Sequence, residues 1–405
     1  MSSNDAAVGF GQGVTGGAAA AAITAITSVA KLKKKLKDLG TGNTATVLEL
    51  QGDGTAWDFG GKVLDIGAQN LTIRGSSTAF VLNNVTFAVD LDHASNILIQ
   101  DLIFRGTGDK DDPRDGITVE ASNTPRNRGS VAAQSFLRIT HCTFDGYYDI
   151  AVDTKSVFGK PRLYATIDGC LFFDSNPGLD GPGKSTFINR GALNLSALNN
   201  RNANSSFTVT RNVFVDVWRR SPRVAGGNFA HVFNNLLFRW GFTGPASKPN
   251  ALHALNNTWR GMEVGGGDRD PDNSQALIQA NRFIPWVDKQ QLDMAINIHP
   301  TTTVDLSSTT EDANEFDGPD GKLPPAPVDA TGAALARPQP SVPTGATGTT
   351  LVAAALYLDL TPPPVTTAAT VDWTSLVTSA GSPFTDAPST AARQEVLDKL
   401  ATAGR

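Results

Sequence analysis

A short motif returns along this chain at a nearly constant interval. The segments "NILIQDLIF" (Asn96 to Phe104), "FLRITHCTF" (Phe136 to Phe144), "ATIDGCLFF" (Ala165 to Phe173), "FTVTRNVFV" (Phe207 to Val215), "AHVFNNLLF" (Ala230 to Phe238), "HALNNTW" (His253 to Trp259) and "ALIQANRF" (Ala276 to Phe283) share one pattern. Each is an alternating strand, then a polar or small turn residue, then an apolar or aromatic position. The turn residues Asn212, Asn235, Asn257 and Asn281 stand 23, 22 and 24 residues apart. Asn70 and Asn96 precede "LTI" and "ILI" with a step of 26, and Cys142 and Cys170 fill the turn slot 28 apart.

A step of this size is one coil of a solenoid. It is too long for hexapeptide repeats, lacks the Leu/Asn signature of leucine-rich repeats, and is about half of a propeller blade of ~40–50 residues. In a right-handed parallel β-helix each coil stacks on the next at about 4.8 Å, so like residues form ladders: Asn amides bond along the stack and aromatics fill the interior. Asn also tolerates the left-handed backbone that a sharp turn requires. The expected fold is therefore all-β, a single-stranded right-handed parallel β-helix from about Ala45 to Val287. The expected divisions are 1–44 (N-terminal segment and capping helix), 45–290 (β-helix) and 291–405 (tail with a C-terminal helix).

Composition agrees. Of 405 residues, 18% are charged and 39 are Gly, against roughly a quarter charged in typical soluble chains; many turns and few charged faces disfavour a helical bundle. The net charge of −5 argues against a general nucleic-acid surface. Two cysteines exclude a disulfide scaffold and a four-Cys zinc module. Both are expected to stack in the turn slot as small apolar residues, with a bridge as the alternative. Any metal must sit on oxygen ligands or on the five histidines.

The Ala/Ile/Thr-rich stretch Gly16 to Ala30 is not read as a secretory signal, because Lys31, Lys33, Lys34, Lys35 and Lys37 follow it instead of preceding it. It is also too short to span a bilayer. The spacing predicts a helix from about Ala18 to Leu39, with Ile23, Ile26, Val29 and Leu36 near one face and Gly40 as its stop. At the other end, the Pro/Thr/Gly/Ala-rich run after Trp286 reads as a tail, docked or partly flexible. "DWTSLVTSAGS" and a helix around Thr390 to Ala403 are expected to pack back on the solenoid and cover an edge.

The steps Leu102 to Cys142 (40 residues) and Cys170 to Asn212 (42) hold long Gly/Asn-rich excursions, the kind of insertion that builds a cleft on one face of a solenoid. Three acidic residues lie beside them: Asp115 in "RDGITV", and Asp149 and Asp153 in "YDIAVDTK". The last two, four apart on a strand, share a face. Stacking "DGITV" below "DIAVD" would gather three carboxylates, a donor set suited to calcium; solvated strand charge is the other reading. In "VWRRSPRVAGG", Arg219, Arg220 and Arg223 surround Pro222. That cluster reads as surface charge or as recognition of an anionic ligand.

Taken together, these segments resemble the pectate lyases, polysaccharide lyase family one. "GFGQGVTGG" (Gly9 to Gly17) is similar to the family's "GFG-GTTGG". "NLTIRG", "NILIQDLIFR", "THCTF" in place of "WIDHNxF", "RSPR" within "RxPRxR", and "AHVFNNLLFRWG" in place of "HVYNNYF" then follow in the family's order. The resemblance implies a parallel β-helix enzyme in which Asp115, Asp149 and Asp153 bind Ca²⁺. It implies Arg220 as the catalytic base, Arg223 as a supporting or substrate residue, and Lys155 as a contact to sugar carboxylates. Arg219 and Asn176 are also assigned to substrate binding, and His141 is a structural residue near the site, with a lesser alternative as base.

The chain also departs from the pattern. The third Arg of "RxPRxR" is Ala225, the Lys before "xGLDG" is Asn176, and "WIDH" reads Arg138, Ile139, Thr140, His141. The implied activity is Ca²⁺-dependent β-elimination of polygalacturonate to unsaturated oligogalacturonides, by a secreted monomer that engages neither nucleic acid nor membrane. Competing readings are a non-catalytic polysaccharide-binding β-helix of the phage-tail or adhesin type, a lyase for a different uronic acid polymer, and a metal-free pectin lyase. The acidic trio argues against the last.

Overall fold

The computed structural model describes residues 9–76, 81–107, 115–121, 134–156, 162–173, 191–197, 205–217, 219–240, 260–265, 273–285, 295–299, 302–306, 313–317, 347–348, 365–366, 368–383 and 386–402. Every strand pair among them is parallel, and the strands stack in three rows of a right-handed parallel β-helix. The first sheet runs through Ile23–Ile26, Thr46–Leu50, Gln69–Gly75, Ser95–Gln100, Gln134–Thr140, Arg162–Asp168, Ser206–Thr210, Phe229–Phe233, Gln275–Gln279, Thr303–Asp305 and Thr347–Gly348. A second row holds Ile103–Arg105, Thr143–Asp145, Leu171–Phe173, Val213–Val215, Leu236–Trp240, Arg282–Pro285 and Glu315–Phe316. The third holds Ile117–Glu120, Ile150–Ser156, Gly191–Ala197, Arg223–Val224, Met262–Val264 and Ile296–Ile298. Val81–Asp90 pairs with the head of both later rows and with Trp57–Ile66.

Register explains the interior. Phe104, Phe144, Phe172 and Phe214 are partners on successive coils, with ring centroids 5.1, 4.9 and 5.0 Å apart and nearly parallel planes. Leu237, Phe283 and Phe316 continue the column. Stacking at the strand spacing lets each ring bury its faces against its neighbours without changing rotamer from coil to coil.

The corner between the first sheet and the second row corrects two expectations. The left-handed residues there are Asp101, His141, Gly169, Arg211, Asn234 and Ala280 (φ 48–60°), each directly ahead of the ladder slot. The ladder asparagines therefore act through their amides: Asn212 Nδ2 donates to Asn235 Oδ1 (3.0 Å), Asn235 Nδ2 to Asn281 Oδ1 (2.9 Å) and Asn281 Nδ2 to Asn314 Oδ1 (2.9 Å). Asn70 and Asn96 do adopt the left-handed conformation, but at the head of first-sheet strands, where Asn96 Nδ2 donates to Asn70 Oδ1 at 2.8 Å. Asn235 bonds Asn281 directly, and Leu236 pairs with Arg282, so the step from Asn235 to Asn281 is one coil and not the two expected. "HALNNTW" itself is outside the described residues.

Likewise, Leu102 to Cys142 and Cys170 to Asn212 each make one coil, as the hydrogen bonds Thr143 N to Leu102 O (2.8 Å) and Cys170 N to Asn212 Oδ1 (2.9 Å) require. Part of each presumed excursion is a third-row strand. Cys142 and Cys170 are buried and free.

Both ends differ from expectation. The helix is α1, Val29–Leu39, and Ile23–Ile26 ahead of it is a strand paired with Thr46–Leu50. The run Ile23-Thr24-Ala25-Ile26 is β-branched at three of four positions, which favours a strand, and Ser28 caps the helix by accepting from Lys31 N–H. Gly40, at φ 51°, ends it. Parallel pairing also continues beyond residue 290, in strands of two or three residues too short for their alternation to be read. The C-terminal helices α2 (Trp373–Ser379) and α3 (Ala387–Thr402) pack Trp373, Val377, Val396 and Leu400 on the outer face of the second row, against Leu171, Val213, Leu236 and Ile284. Arg105 ties Asp145 to Asp386, the residue that caps α3 through Ser389 N–H. No described helix is long and apolar enough to cross a membrane.

Candidate active site

Thr118, Asp153, Asn194, Arg223, Glu263 and Asn297 are register partners along the third row. They form one column at about 4.8 Å per rung. Asp115 and Asp149 stand just ahead of neighbouring strands of the same row, locked by Gly116 N–H to Ala151 O (2.9 Å) and Gly191 N–H to Asp149 O (2.7 Å). Arg219 bridges Gly191 in parallel fashion. Arg220 follows in the left-handed region (φ 58°), its carbonyl accepting from Leu193 N–H at 2.8 Å, and the Ser221–Pro222 peptide after it is cis.

That backbone aims the Arg220 side chain back over Gly191. A Cβ at Gly191 would lie 2.6 Å from Arg220 Cβ and 2.9 Å from its Cδ, so the glycine is what lets the side chain pass. The guanidinium ends with Nη1 3.9 Å from Asp149 Oδ1, while Nε is buried without a hydrogen-bond partner among the described residues. Burial, with Arg219 and Arg223 beside it, lowers the Arg220 pKa to about 10; Glu263 and Asp149 oppose the fall.

The carboxylates repel one another. Burial first, then Asp153 and Asp149, push Asp115 up to about 8. Burial raises Asp149 as well, against the pull of Arg220. Asp153 is already engaged: Oδ1 accepts from Asn194 Nδ2 at 2.7 Å, and Oδ2 faces Lys155 Nζ at 3.0 Å. Burial disfavours the Lys155 charge, but Asp153, Asp115 and Glu120 outweigh it and raise its pKa.

Among the described residues, no three His, Cys, Asp or Glu side chains gather tightly enough to hold a metal ion. Asp115, Asp149 and Asp153 lie within electrostatic reach of one another, and Asp153 is ion-paired with Lys155. Asp115 Oδ1, Asp149 Oδ1 and Asn194 Oδ1 are nonetheless buried without a hydrogen-bond partner among the described residues. Two carboxylate oxygens and an amide oxygen left without hydrogen-bond donors are hard donors of the kind that fit a divalent cation.

Beyond the carboxylates, Arg219 forms a two-pronged pair with Glu263 (Nε to Oε1 2.8 Å, Nη2 to Oε2 3.1 Å). Arg223 Nε donates to Gly265 O at 3.3 Å. His141 is placed on a different corner, between Gln134–Thr140 and Thr143–Asp145, beside Thr140 Oγ1 and packed against Gly169. It lines a hollow of about 230 Å³ with Arg211, Asn234 and residues of α2. Asn176 lies outside the described residues.

Sequence reasoning missed Asn194, Glu263 and Arg260. A signal for Glu263 was present: "RVAGG" (Arg223 to Gly227) and "EVGGG" (Glu263 to Gly267) align position for position, and Arg223 pairs with Glu263 and Val224 with Val264.

A family model for pectate lyases matches residues 2–284. Among solved structures, the pectate lyase of Paenibacillus sp. 0602 is 16% identical, with a TM-score of 0.54 over 95% of this chain and 98% of that one. The major cedar pollen allergen jun a 1 is 15% identical, with a TM-score of 0.52 over 93% and 92% of the two chains. A pectate lyase bound to a hexasaccharide is 14% identical, with a TM-score of 0.50 over 94% and 98%. No curated protein sequence matches. These structures share the fold, and the family model spans nearly all of the solenoid's coils: the chain belongs to the pectate lyase family and is a polysaccharide lyase.

Proposed function

We propose that this chain is a Ca²⁺-dependent pectate lyase, secreted to act on polygalacturonate, which it cleaves by β-elimination to leave unsaturated oligogalacturonides. The observation that carries this reading is Arg220: a buried guanidinium, shifted down to about 10, reaching over Gly191 to the carboxylate group.

The reaction removes the proton at C5 of a uronate, next to its carboxylate. The electron pair forms the C4–C5 double bond as the C4–O4 bond breaks, and the departing alkoxide oxygen takes a proton from water to become the hydroxyl of the released sugar. That C5 proton is barely acidic while the carboxylate carries its full negative charge. Asp115, Asp149 and Asp153 would hold Ca²⁺, whose chemistry when bound is to neutralise the substrate carboxylate and the charge that develops on it. Arg220 in its neutral form accepts the proton. With a pKa of about 10, roughly one part in ten is neutral at pH 9, so the chemistry favours alkaline conditions. Arg223 within the column and Lys155, two residues along the strand from Asp153, are suited to orient the polymer carboxylates.

A lyase for another uronic acid polymer is the second reading. It is favoured by Ala225, which is fully buried where the family motif carries a cation. Ultraviolet absorbance of unsaturated product tests both. Product from polygalacturonate at alkaline pH that disappears with chelator is expected; product only from a different uronate polymer supports the second reading, and product that survives chelator removes the calcium role.

A further inference from the structure

Glu263 is an acid that the elimination itself does not use. It is 2% exposed, one rung beyond Arg223. Burial alone would push its carboxyl up, but Arg219, Arg260 and Arg220 outweigh burial and hold it below the ordinary range. Arg219 takes both of its oxygens, at 2.8 and 3.1 Å, and Arg260 Nη1 stands 3.6 Å from Oε2. A fork-on-fork pair of this kind occupies the guanidinium edge that would otherwise grip a carboxylate of the substrate. Arg219 is also the backbone neighbour of Arg220 and is bridged to Gly191, the residue over which Arg220 passes. One turn therefore carries both arginines, and the Glu263 pair anchors that turn through the Arg219 side chain.

We propose that Glu263 is a positioning residue of the lyase site: by clamping Arg219 it makes that arginine a wall that sets Arg220 in place, and not a ligand of the substrate. The proposal rests on the lyase reading with Arg220 as base, and it reassigns Arg219 from the substrate-binding role expected from sequence. Glu263 comes from the strand Met262–Val264 and Arg219 from the turn ahead of Arg223–Val224, so the clamp joins two coils.

Steady-state kinetics on polygalacturonate test it, with circular dichroism melting to establish folding. The proteins are wild type, Arg219→Lys, Arg219→Gln, Glu263→Gln and the double variant Arg219→Gln/Glu263→Gln. Arg219→Lys keeps the charge against Glu263 but loses the fork, so it remains informative if removing one partner of a buried pair unfolds the chain. Expected are losses of about tenfold or more in kcat for Arg219→Lys and for any folded Glu263→Gln, with KM within about twofold of wild type. The double variant, whose facing amides can bond, should be no worse than the poorer single variant. A tenfold rise in KM with unchanged kcat in either Arg219 variant would show direct substrate binding and overturn the proposal. So would additive losses in the double variant, or wild-type kinetics in a folded Glu263→Gln protein. Wild-type enzyme that yields no unsaturated product from any uronate polymer would overturn the lyase reading together with the proposal, an outcome visible before any substitution is compared.

Discussion

Arg220 and Asp149 face one another with Nη1 3.9 Å from Oδ1, although their backbones belong to different coils and Gly191 lies between them. The contact is possible because Arg220 adopts φ 58° and Gly191 has no side chain to block the return path.

Gly191→Ala should therefore impair the enzyme without touching a charged group. The added methyl would lie 2.6 Å from Arg220 Cβ, forcing the guanidinium aside, and a displacement near 1 Å at a reacting group costs on the order of 100-fold. The expected result is a kcat loss of that order with a folded protein by circular dichroism; wild-type kcat would show that Arg220 does not depend on this path.

Asp115 makes stability depend on pH and on divalent cation. Its pKa rises from the ordinary 3.8 to about 8 on folding, so the folded state holds a proton that the unfolded state has lost. The stability of the cation-free protein thus falls as pH climbs from about 4 through about 8. Asp115→Asn should match wild type near pH 4 and exceed it at pH 9 in chelator, by several kcal/mol at most. Added Ca²⁺ should raise the wild-type melting temperature more at pH 9 than at pH 6, and much less in the variant. Equal pH profiles for the two proteins would contradict this account.

Asn235 joins three coils. Its Nδ2 donates to Asn281 Oδ1, Val209 O and Phe233 O at 2.9–3.0 Å, and its Oδ1 accepts from Asn212 N–H at 3.0 Å. Asn235→Ala would leave buried backbone groups unpaired at about 1–3 kcal/mol each. We expect a total loss of about 2–4 kcal/mol in chemical denaturation, with little change in kcat for the folded fraction.

The solenoid was legible because its strands alternate and its turn slot repeats chemically; the phenylalanine column and the Asn212 to Asn235 rung follow from that pattern alone. The 22- and 24-residue steps through Asn257 misled, because the sequence position of that Asn divides a 46-residue coil nearly in half. Glu263 went unread for a different reason: its three-residue strand is too short to show alternation, and the match of "EVGGG" to "RVAGG" gains meaning only once Arg223 is known to be one rung away. The spacing of Asp149 and Asp153 suggested that they lie close, and they are electrostatically coupled, although Asp149 stands just ahead of the strand that carries Asp153. That Asp153 would be held by Lys155 and Asn194 could not be read, since Asn194 arrives from the next coil.

The most direct test of the account is the rate of unsaturated-product formation from polygalacturonate, in saturating Ca²⁺, as a function of pH for wild type and Arg220→Lys. A base of pKa about 10 predicts a wild-type kcat that rises nearly tenfold per pH unit up to about pH 9 and levels off near 10. It also predicts a loss of about 100-fold or more in Arg220→Lys. A wild-type profile that is flat across this range, or an Arg220→Lys enzyme as fast as wild type, would contradict the assignment of Arg220 as the base.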